Sequence, residues 1–177
     1  MAALDVVIRP IGADERAAWE PLWKGYQAFY KVAISDATTA VIWARLHDPA
    51  EPMGVLGAYV DGKLCGIVHY LFHRSCWTVG DYCYLQDLFV AEGVRNLGLG
   101  RALIGAVEER ARAAGASRVV FAAPVGPPAV RARLEAEADD VVLLEEPFGF
   151  LAVGEWYRDF EQVTDGEVLG VLREQRG

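Results

Sequence analysis

The stretch that decides the fold runs from residue 82 to residue 101 and reads YCYLQDLFV, AEGV, RNLGLGR. Its first nine residues, Tyr82 to Val90, are rich in aromatic and branched side chains, which is typical of a β-strand. Two glycines follow, Gly98 and Gly100, and after them apolar side chains recur at helical spacing as far as Ala114. The stretch therefore predicts a strand, a glycine-containing loop and a helix in immediate succession.

This loop has the composition of a pyrophosphate cradle. Glycines let the backbone approach a ligand closely, and the first turn of a helix offers unpaired N–H groups with a partial positive charge. Arg95 and Arg101 bracket the glycines and could add charged hydrogen bonds to phosphate oxygens. The loop lacks both the Lys-Ser/Thr pair of a triphosphate-binding loop and the third glycine of the dinucleotide fingerprint. The alternative is a loop that only turns into a helix.

The remaining elements are placed outward from this stretch. Ahead of it we predict a strand over 5–9, helices over 14–30 and 36–47, and strands over 54–60 and 64–73 joined by an Asp61-Gly62 hairpin turn. After it we predict a strand over 118–122. Beyond residue 123 the pattern favours a helix over 129–138, a strand pair within 141–153 and a short helix in the tail 154–177.

Length and charge limit the function classes. The 177 residues are 53% apolar and carry a net charge of −8, which favours one globular domain over residues 1–177. An acidic chain lacks the basic footprint of a nucleic-acid binder and favours cationic partners. No apolar run approaches the length of a membrane span, and the first residues lack the pattern of a signal peptide. We therefore expect a cytoplasmic protein without a nucleic-acid or membrane partner.

The run Arg95-x-x-Gly98-x-Gly100 behind this strand resembles the acetyl-CoA motif of the GNAT family of N-acetyltransferases. The resemblance covers the order of elements over residues 5–122, whereas residues 123–177 diverge. It is closest to the diamine/polyamine and histone-tail acetyltransferases. It implies an α/β (α+β) fold: one domain with a mixed, mostly antiparallel sheet flanked by helices and a V-shaped split between the fourth and fifth strands.

The same resemblance implies a function. Acetyl-CoA would be the cosubstrate, and its acetyl group would pass to the primary amine of a small polyamine or lysine-like molecule by direct attack in a ternary complex. Main-chain groups of Leu88, Phe89 and Val90 would bind the pantetheine arm. The loop would hold the pyrophosphate through residues Arg95, Asn96, Leu97, Gly98, Leu99, Gly100 and Arg101. A homodimer is expected, because the family commonly dimerises.

Three candidate catalytic residues differ from the pattern of the resembled subgroup. Gln86 stands where polyamine acetyltransferases have Glu, and an amide cannot act as a base. Asp87 is acidic, but neighbouring strand residues face opposite sides unless a bulge intervenes. Glu135 falls where the family usually has a Tyr. A catalytically degenerate acyl-CoA sensor therefore stands as the alternative function.

The candidate acceptor site is aromatic. We predict that it is formed by Trp23, Tyr26, Tyr30, His69 and Tyr84, because aromatic faces attract cationic amines; packing in the core is the alternative for the residues of the first helix. His69 and His73 share a strand face and could be cleft bases, ordinary packing residues or metal ligands. No carboxylate motif accompanies them, so we expect no metal.

Overall fold

A computed structural model of the chain describes residues 4–125, 131, 135–136 and 138–146. Most of the helix predicted over 129–138, the second strand of the pair within 141–153 and the helix in the tail 154–177 lie outside the described residues.

The described residues form six strands and three helices. The strands are β1 (Val6–Pro10), β2 (Met53–Val60), β3 (Lys63–His73), β4 (Tyr82–Val90), β5 (Arg118–Val125) and β6 (Asp140–Glu145). The helices are α1 (Arg16–Phe29), α2 (Asp36–Leu46) and α3 (Leu99–Ala113), and a short 3-10 helix, Glu92–Val94, precedes α3. The elements predicted up to residue 122 are all confirmed, and β4 has the predicted bounds.

The strands lie in the sheet in the order in which they follow one another along the chain. β1 to β4 are antiparallel neighbours, whereas β5 and β6 are parallel to the strands before them. Helix α3 makes the crossover that a parallel pair requires. The predicted mixed, mostly antiparallel sheet flanked by helices is confirmed.

β4 and β5 separate soon after they begin. They pair only at Tyr82–Arg118, Cys83–Val119 and Tyr84–Val120, yet β4 continues to Val90. The edge of β4 beyond residue 84 therefore does not pair with β5. This is the predicted V-shaped split.

A β-bulge interrupts β4 inside this split. His69 of β3 lies opposite Asp87, whereas the next residue, Tyr70, lies opposite Leu85. Gln86 is therefore an extra residue without a cross-strand partner. Such a bulge changes the direction in which the neighbouring side chains point.

Helices cover both faces of the sheet. Leu103 and Val107 of α3 are buried against one face, and Trp19 and Trp23 of α1 are buried against the other, together with α2. Gly25 lets α1 approach β4, because a Cβ atom there would lie 2.8 Å from the ring of Phe89. This close approach places α1 beside the bulge.

Glu15 anchors the start of α1 to the sheet. Its carboxylate accepts hydrogen bonds from Arg9 at 2.7 and 2.9 Å, from the Gly12 amide at 2.8 Å and from the Tyr59 hydroxyl at 3.0 Å. These bonds, with that of Arg9 the strongest, lower the pKa of Glu15 to about 2. Helix α1 is thus tied at its first turn to β1 and β2.

Candidate active site

The loop after β4 delivers a helix N-terminus without a side-chain cap. Gly98 adopts φ 77° and ψ 6° in the left-handed region and is the N-cap of α3. Its carbonyl already accepts the first helical bond, from Ala102 at 3.0 Å, while the N–H groups of the first turn have no acceptor within the helix. No acidic residue occupies that first turn. Free N–H groups without a competing acidic side chain are what an anion site at a helix N-terminus requires. The pyrophosphate of acetyl-CoA is an anion that would fit here.

The two arginines of the loop are placed differently. Arg95 Nε donates to the Val90 carbonyl at 3.3 Å, and the guanidinium lies 3.7 Å from Glu92, so Arg95 braces the loop itself. Arg101 is exposed within the first turn of α3. A direct contact of either side chain with phosphate stays a prediction.

Leu88, Phe89 and Val90 lie on the part of β4 that does not pair with β5. All three are half-buried. An extended pantetheine arm could add to this open edge as a strand would, and its binding there stays a prediction.

A cavity of about 400 Å³ opens between α1 and the bulge of β4. Its walls are mostly aromatic and aliphatic: Trp23, Tyr26, Gln27, Tyr30, Val32, Ile34, Ile42, Met53, His69, Gln86 and Asp87. Four of the five residues predicted for the acceptor site, all except Tyr84, line it. The predicted catalytic residues Gln86 and Asp87 line it as well.

The bulge explains how Gln86 and Asp87 reach one cavity. Strict alternation along β4 would point them to opposite faces of the sheet. Because Gln86 has no cross-strand partner, the alternation is broken between the two residues. Asp87 is largely enclosed, with 14% of its side chain exposed, whereas Gln86 is exposed.

A chain of hydrogen bonds holds Asp87 in place. The indole N–H of Trp19 donates to His69 Nε2 at 3.0 Å, which makes Nε2 an acceptor. The proton of the neutral ring must therefore be on Nδ1, which lies 3.0 Å from Asp87 Oδ2 and donates to it. Burial, together with the nearby Asp87 carboxylate, raises the pKa of Tyr26.

The hydrogen bonds give His69, the basic candidate, and Asp87, the acidic candidate, different roles. Both ring nitrogens of His69 are engaged, and the residue is 3% exposed. It is therefore placed to hold Asp87 rather than to receive a proton from substrate. Asp87 keeps further lone pairs for a ligand, because a carboxylate can accept about four hydrogen bonds.

Other predicted residues lie outside this cavity. Tyr84 is half-buried two residues before the bulge, and Glu135 is exposed and pairs with Arg131 at 3.5 Å. His73 is exposed at the end of β3 and bonds the Arg74 carbonyl. The roles of Tyr84 and Glu135 stay predictions.

Sequence reasoning missed Gln27. It is buried on α1, and together with Trp19 and Trp23 it forms a stripe at four-residue spacing. The signal that could have found Gln27 is a polar residue inside an otherwise aromatic buried stripe, since a buried polar group needs a partner.

The profile of the acetyltransferase (GNAT) family matches residues 19–134, which is most of the chain. The chain belongs to this family. It is an acetyl-CoA-dependent N-acetyltransferase. It is also 35% identical over 118 residues to the D-amino-acid N-acetyltransferase HPA3 of Saccharomyces cerevisiae; the match covers 66% of this chain and 73% of the yeast protein.

Solved structures share the fold at low identity. An aminoglycoside acetyltransferase from an uncultured soil metagenomic sample, in complex with sisomicin, aligns with a TM-score of 0.57 at 17% identity, over 74% of this chain and 84% of that one. The aminoglycoside N-acetyltransferase AAC(6')-Iy in complex with CoA aligns with a TM-score of 0.57 at 13% identity, over 92% and 94%. GNAT proteins of this fold are thus seen with CoA and with an amine ligand.

Two further findings concern the described part of the chain only. It contains no group of three or more His, Cys, Asp or Glu side chains that could hold a metal ion. Within the same ranges, no helix has the length and apolarity to span a bilayer.

Proposed function

We propose that this N-acetyltransferase acts on the primary amine of a small cationic molecule, which attacks acetyl-CoA directly in a ternary complex. The observation that carries the proposal is the position of Asp87. Its carboxylate lines an aromatic cavity, is held by His69 and lies on the strand whose open edge fits pantetheine.

Acetyl-CoA supplies an activated acyl group when bound. The open edge of β4 at 88–90 would hold its pantetheine arm, and the uncapped first turn of α3 would hold its pyrophosphate. The open edge of β4 continues directly from the bulge, so the reactive end of the ligand would reach the neighbourhood of Gln86 and Asp87. The acceptor amine would enter from the cavity side.

The acceptor's ammonium group would bind to Asp87, and the faces of Trp23, Tyr26 and Tyr30 would favour the same positive charge. An alkyl ammonium with a pKa of about 10.4 is neutral to only about 0.04% at pH 7, which corresponds to about 4.6 kcal/mol. We assign Asp87 the binding and orientation of the amine, because its carboxylate is held by His69 and lines the cavity. After the proton has left to solvent, the neutral amine would attack the thioester carbon, the C–S bond would break, and CoA would leave as its thiolate.

The experiment is a panel of amines incubated with acetyl-CoA, with CoA release and the mass of the product as readouts. The panel spans diamines and polyamines, lysine-like amines and, because the yeast relative is named for them, D-amino acids. We expect an acetylated product from at least one class. Binding of acetyl-CoA without CoA release across the whole panel would instead support the degenerate sensor, which Gln86 and Glu135 favour.

We also propose that the protein works as a cytoplasmic homodimer without a nucleic-acid partner. The net charge of −8 supports the last point, since phosphates repel an acidic chain. Light scattering coupled to size-exclusion chromatography measures the oligomeric state, and a monomer at micromolar concentration would contradict the dimer.

A further inference from the structure

The α1 wall of the cavity carries two hydrogen-bond donors that have no partner. Trp23 Nε1 and Gln27 Nε2 are both buried away from solvent and find no acceptor among the described residues. The two residues are 5% and 4% exposed. They lie four positions apart on α1, so they share one face of the helix.

The orientation of the Gln27 amide follows from its neighbour. The backbone N–H of Ile34 lies 3.0 Å from Gln27 Oε1 and can only donate, so the oxygen must face it. The amide nitrogen therefore takes the other direction. Ile34 and Gln27 both line the cavity, which fixes this pair as part of its wall.

Buried donors without an acceptor are unfavourable, because they have lost water and gained nothing in return. A phenylalanine and a methionine would fill the same space without that cost. The unpaired donors are therefore explained if a ligand in the cavity supplies the acceptor. Binding requires that the two side chains, which already border the cavity, turn toward it.

The opposite wall has the complementary chemistry. Asp87 offers a negative charge to an ammonium group, and the residues between the two walls are largely apolar. Among the described residues that line the cavity there is no Lys or Arg. A ligand that satisfies both walls has an amine at one end and an oxygen acceptor a few bonds away.

We propose that Trp23 and Gln27 select acceptor amines that carry a carbonyl or carboxylate oxygen close to the amino group, as in amino-acid amides and amino acids. This rests on the proposed function and names its substrate class. Because no cation lines the described cavity, a neutral carbonyl is expected to bind better than a carboxylate.

The test compares four acceptors: isopentylamine, leucinamide, leucine in both enantiomers and putrescine. Isopentylamine is leucine without its carboxyl group, so the first three share one apolar body. Each kcat/KM is normalised to the neutral fraction of its amine, because the amide lowers the amine pKa. We expect leucinamide or leucine to exceed isopentylamine by about tenfold, as one or two gained hydrogen bonds would give.

Two variants connect this preference to the two donors. Trp23→Phe removes the indole N–H and keeps an aromatic ring. Gln27→Glu keeps an oxygen for the Ile34 N–H and replaces the amide nitrogen with a charged oxygen. We expect each to reduce the leucinamide-to-isopentylamine ratio by about threefold, because each variant removes one of two donors that together give about tenfold. We also expect Gln27→Glu to raise the ratio of putrescine to isopentylamine.

The control is Trp43→Phe, the same type of replacement in the same aromatic cluster but outside the cavity lining. Its ratio should match that of the wild type. Equal rates for isopentylamine and leucinamide, or ratios that neither Trp23→Phe nor Gln27→Glu alters, would overturn the selection by oxygen. A failure of the proposed function looks different, because then none of the four amines releases CoA.

Discussion

The two halves of the candidate site are encoded in different ways. The acetyl-CoA half lies within twenty consecutive residues, from β4 through Gly98 to the first turn of α3. The acceptor half is assembled from α1, α2, β2, β3, β4 and the segment between the two helices. A ligand common to a whole family can be bound by one local motif, whereas the proposed acceptor cavity is lined by side chains that only the tertiary fold brings together.

The two halves also depend on different structural features, the loop on local backbone shape and the cavity on contacts between distant residues. In the loop, the requirement is a backbone shape: Asn96 and Gly98 have positive φ, and the N-cap has no side chain to compete with an anion. In the cavity, the requirement is a set of contacts between distant residues, such as Trp19 with His69 and His69 with Asp87. We therefore expect the loop to tolerate substitutions elsewhere in the chain better than the cavity does.

The largest effect is expected from a substitution at Asp87, which should impair the acceptor half and leave the acetyl-CoA half intact. Asp87→Asn keeps the size of the side chain but removes the charge that binds the ammonium group and accepts from His69. We expect kcat/KM for the best amine to fall by up to about a hundredfold, because the ammonium group would lose a hydrogen bond to a charged partner, which contributes about 1.5–3 kcal/mol. Calorimetric titration should show acetyl-CoA affinity within threefold of the wild type.

Asp61→Asn is the matched control for that change. Asp61 is an exposed aspartate with φ 48° in the β2–β3 turn, a conformation that asparagine also adopts. Activity should be unchanged in this variant. An Asp87→Asn enzyme with wild-type kcat/KM would show that the cavity is not the acceptor site.

The second effect breaks the acetyl-CoA half alone. Gly98→Asp places a carboxylate at the N-terminus of α3, where no described residue beyond the adjoining backbone lies within 4 Å of the added Cβ. We expect acetyl-CoA to bind at least about tenfold more weakly, which corresponds to about 1.4 kcal/mol. Titration calorimetry measures this directly.

Gly98→Asn separates charge from backbone strain. Asparagine has the shape of aspartate and shares its tolerance of positive φ, but it is neutral. We expect its acetyl-CoA affinity to lie between those of Gly98→Asp and the wild type. If both variants bind as the wild type does, the loop is not the pyrophosphate site.

The fold was predictable where one pattern dominates a segment. The apolar stripe of α3 and the Asp61-Gly62 turn each show as a local pattern within one short segment of the sequence, and both are confirmed. The bulge at Gln86 was not predictable, because its only sign is the register of β3 against β4. The placement of Asp87 in the cavity depends on that register, and so does its bond to His69.

The third prediction concerns pH and follows from the proposal that the amine loses its proton to solvent. If the neutral amine limits the rate, kcat/KM should rise about tenfold per pH unit below the amine pKa. His69 adds no second base, because Nε2 already accepts the Trp19 N–H. Initial rates from pH 6 to 8 with a diamine check this, and a flat profile would show that another group removes the proton.

The smallest effect tests whether the acceptor half depends on the anchor of α1. The pKa of Glu15 in the folded protein is about 2, below its ordinary value of 4.5, chiefly because Arg9 donates to its carboxylate. A depressed pKa means that the ionised form stabilises the fold. Its contribution is fully present above about pH 4.5 and is lost as the pH falls from there through about 2.

Glu15→Gln should therefore lower the free energy of unfolding at pH 7 by about 1 kcal/mol, and Tm by about 2–4 °C. This difference from the wild type should shrink as the pH falls below 4.5. Glu20→Gln is the control, because among the described residues Glu20 pairs with Arg16 on the same helix at 3.1 Å, and pairs of that kind contribute less than about 0.5 kcal/mol.

Because α1 carries the cavity wall and not the loop, we expect Glu15→Gln to raise KM for the amine and to leave acetyl-CoA affinity unchanged. Equal weakening of both ligands would show that the two halves are coupled through the sheet.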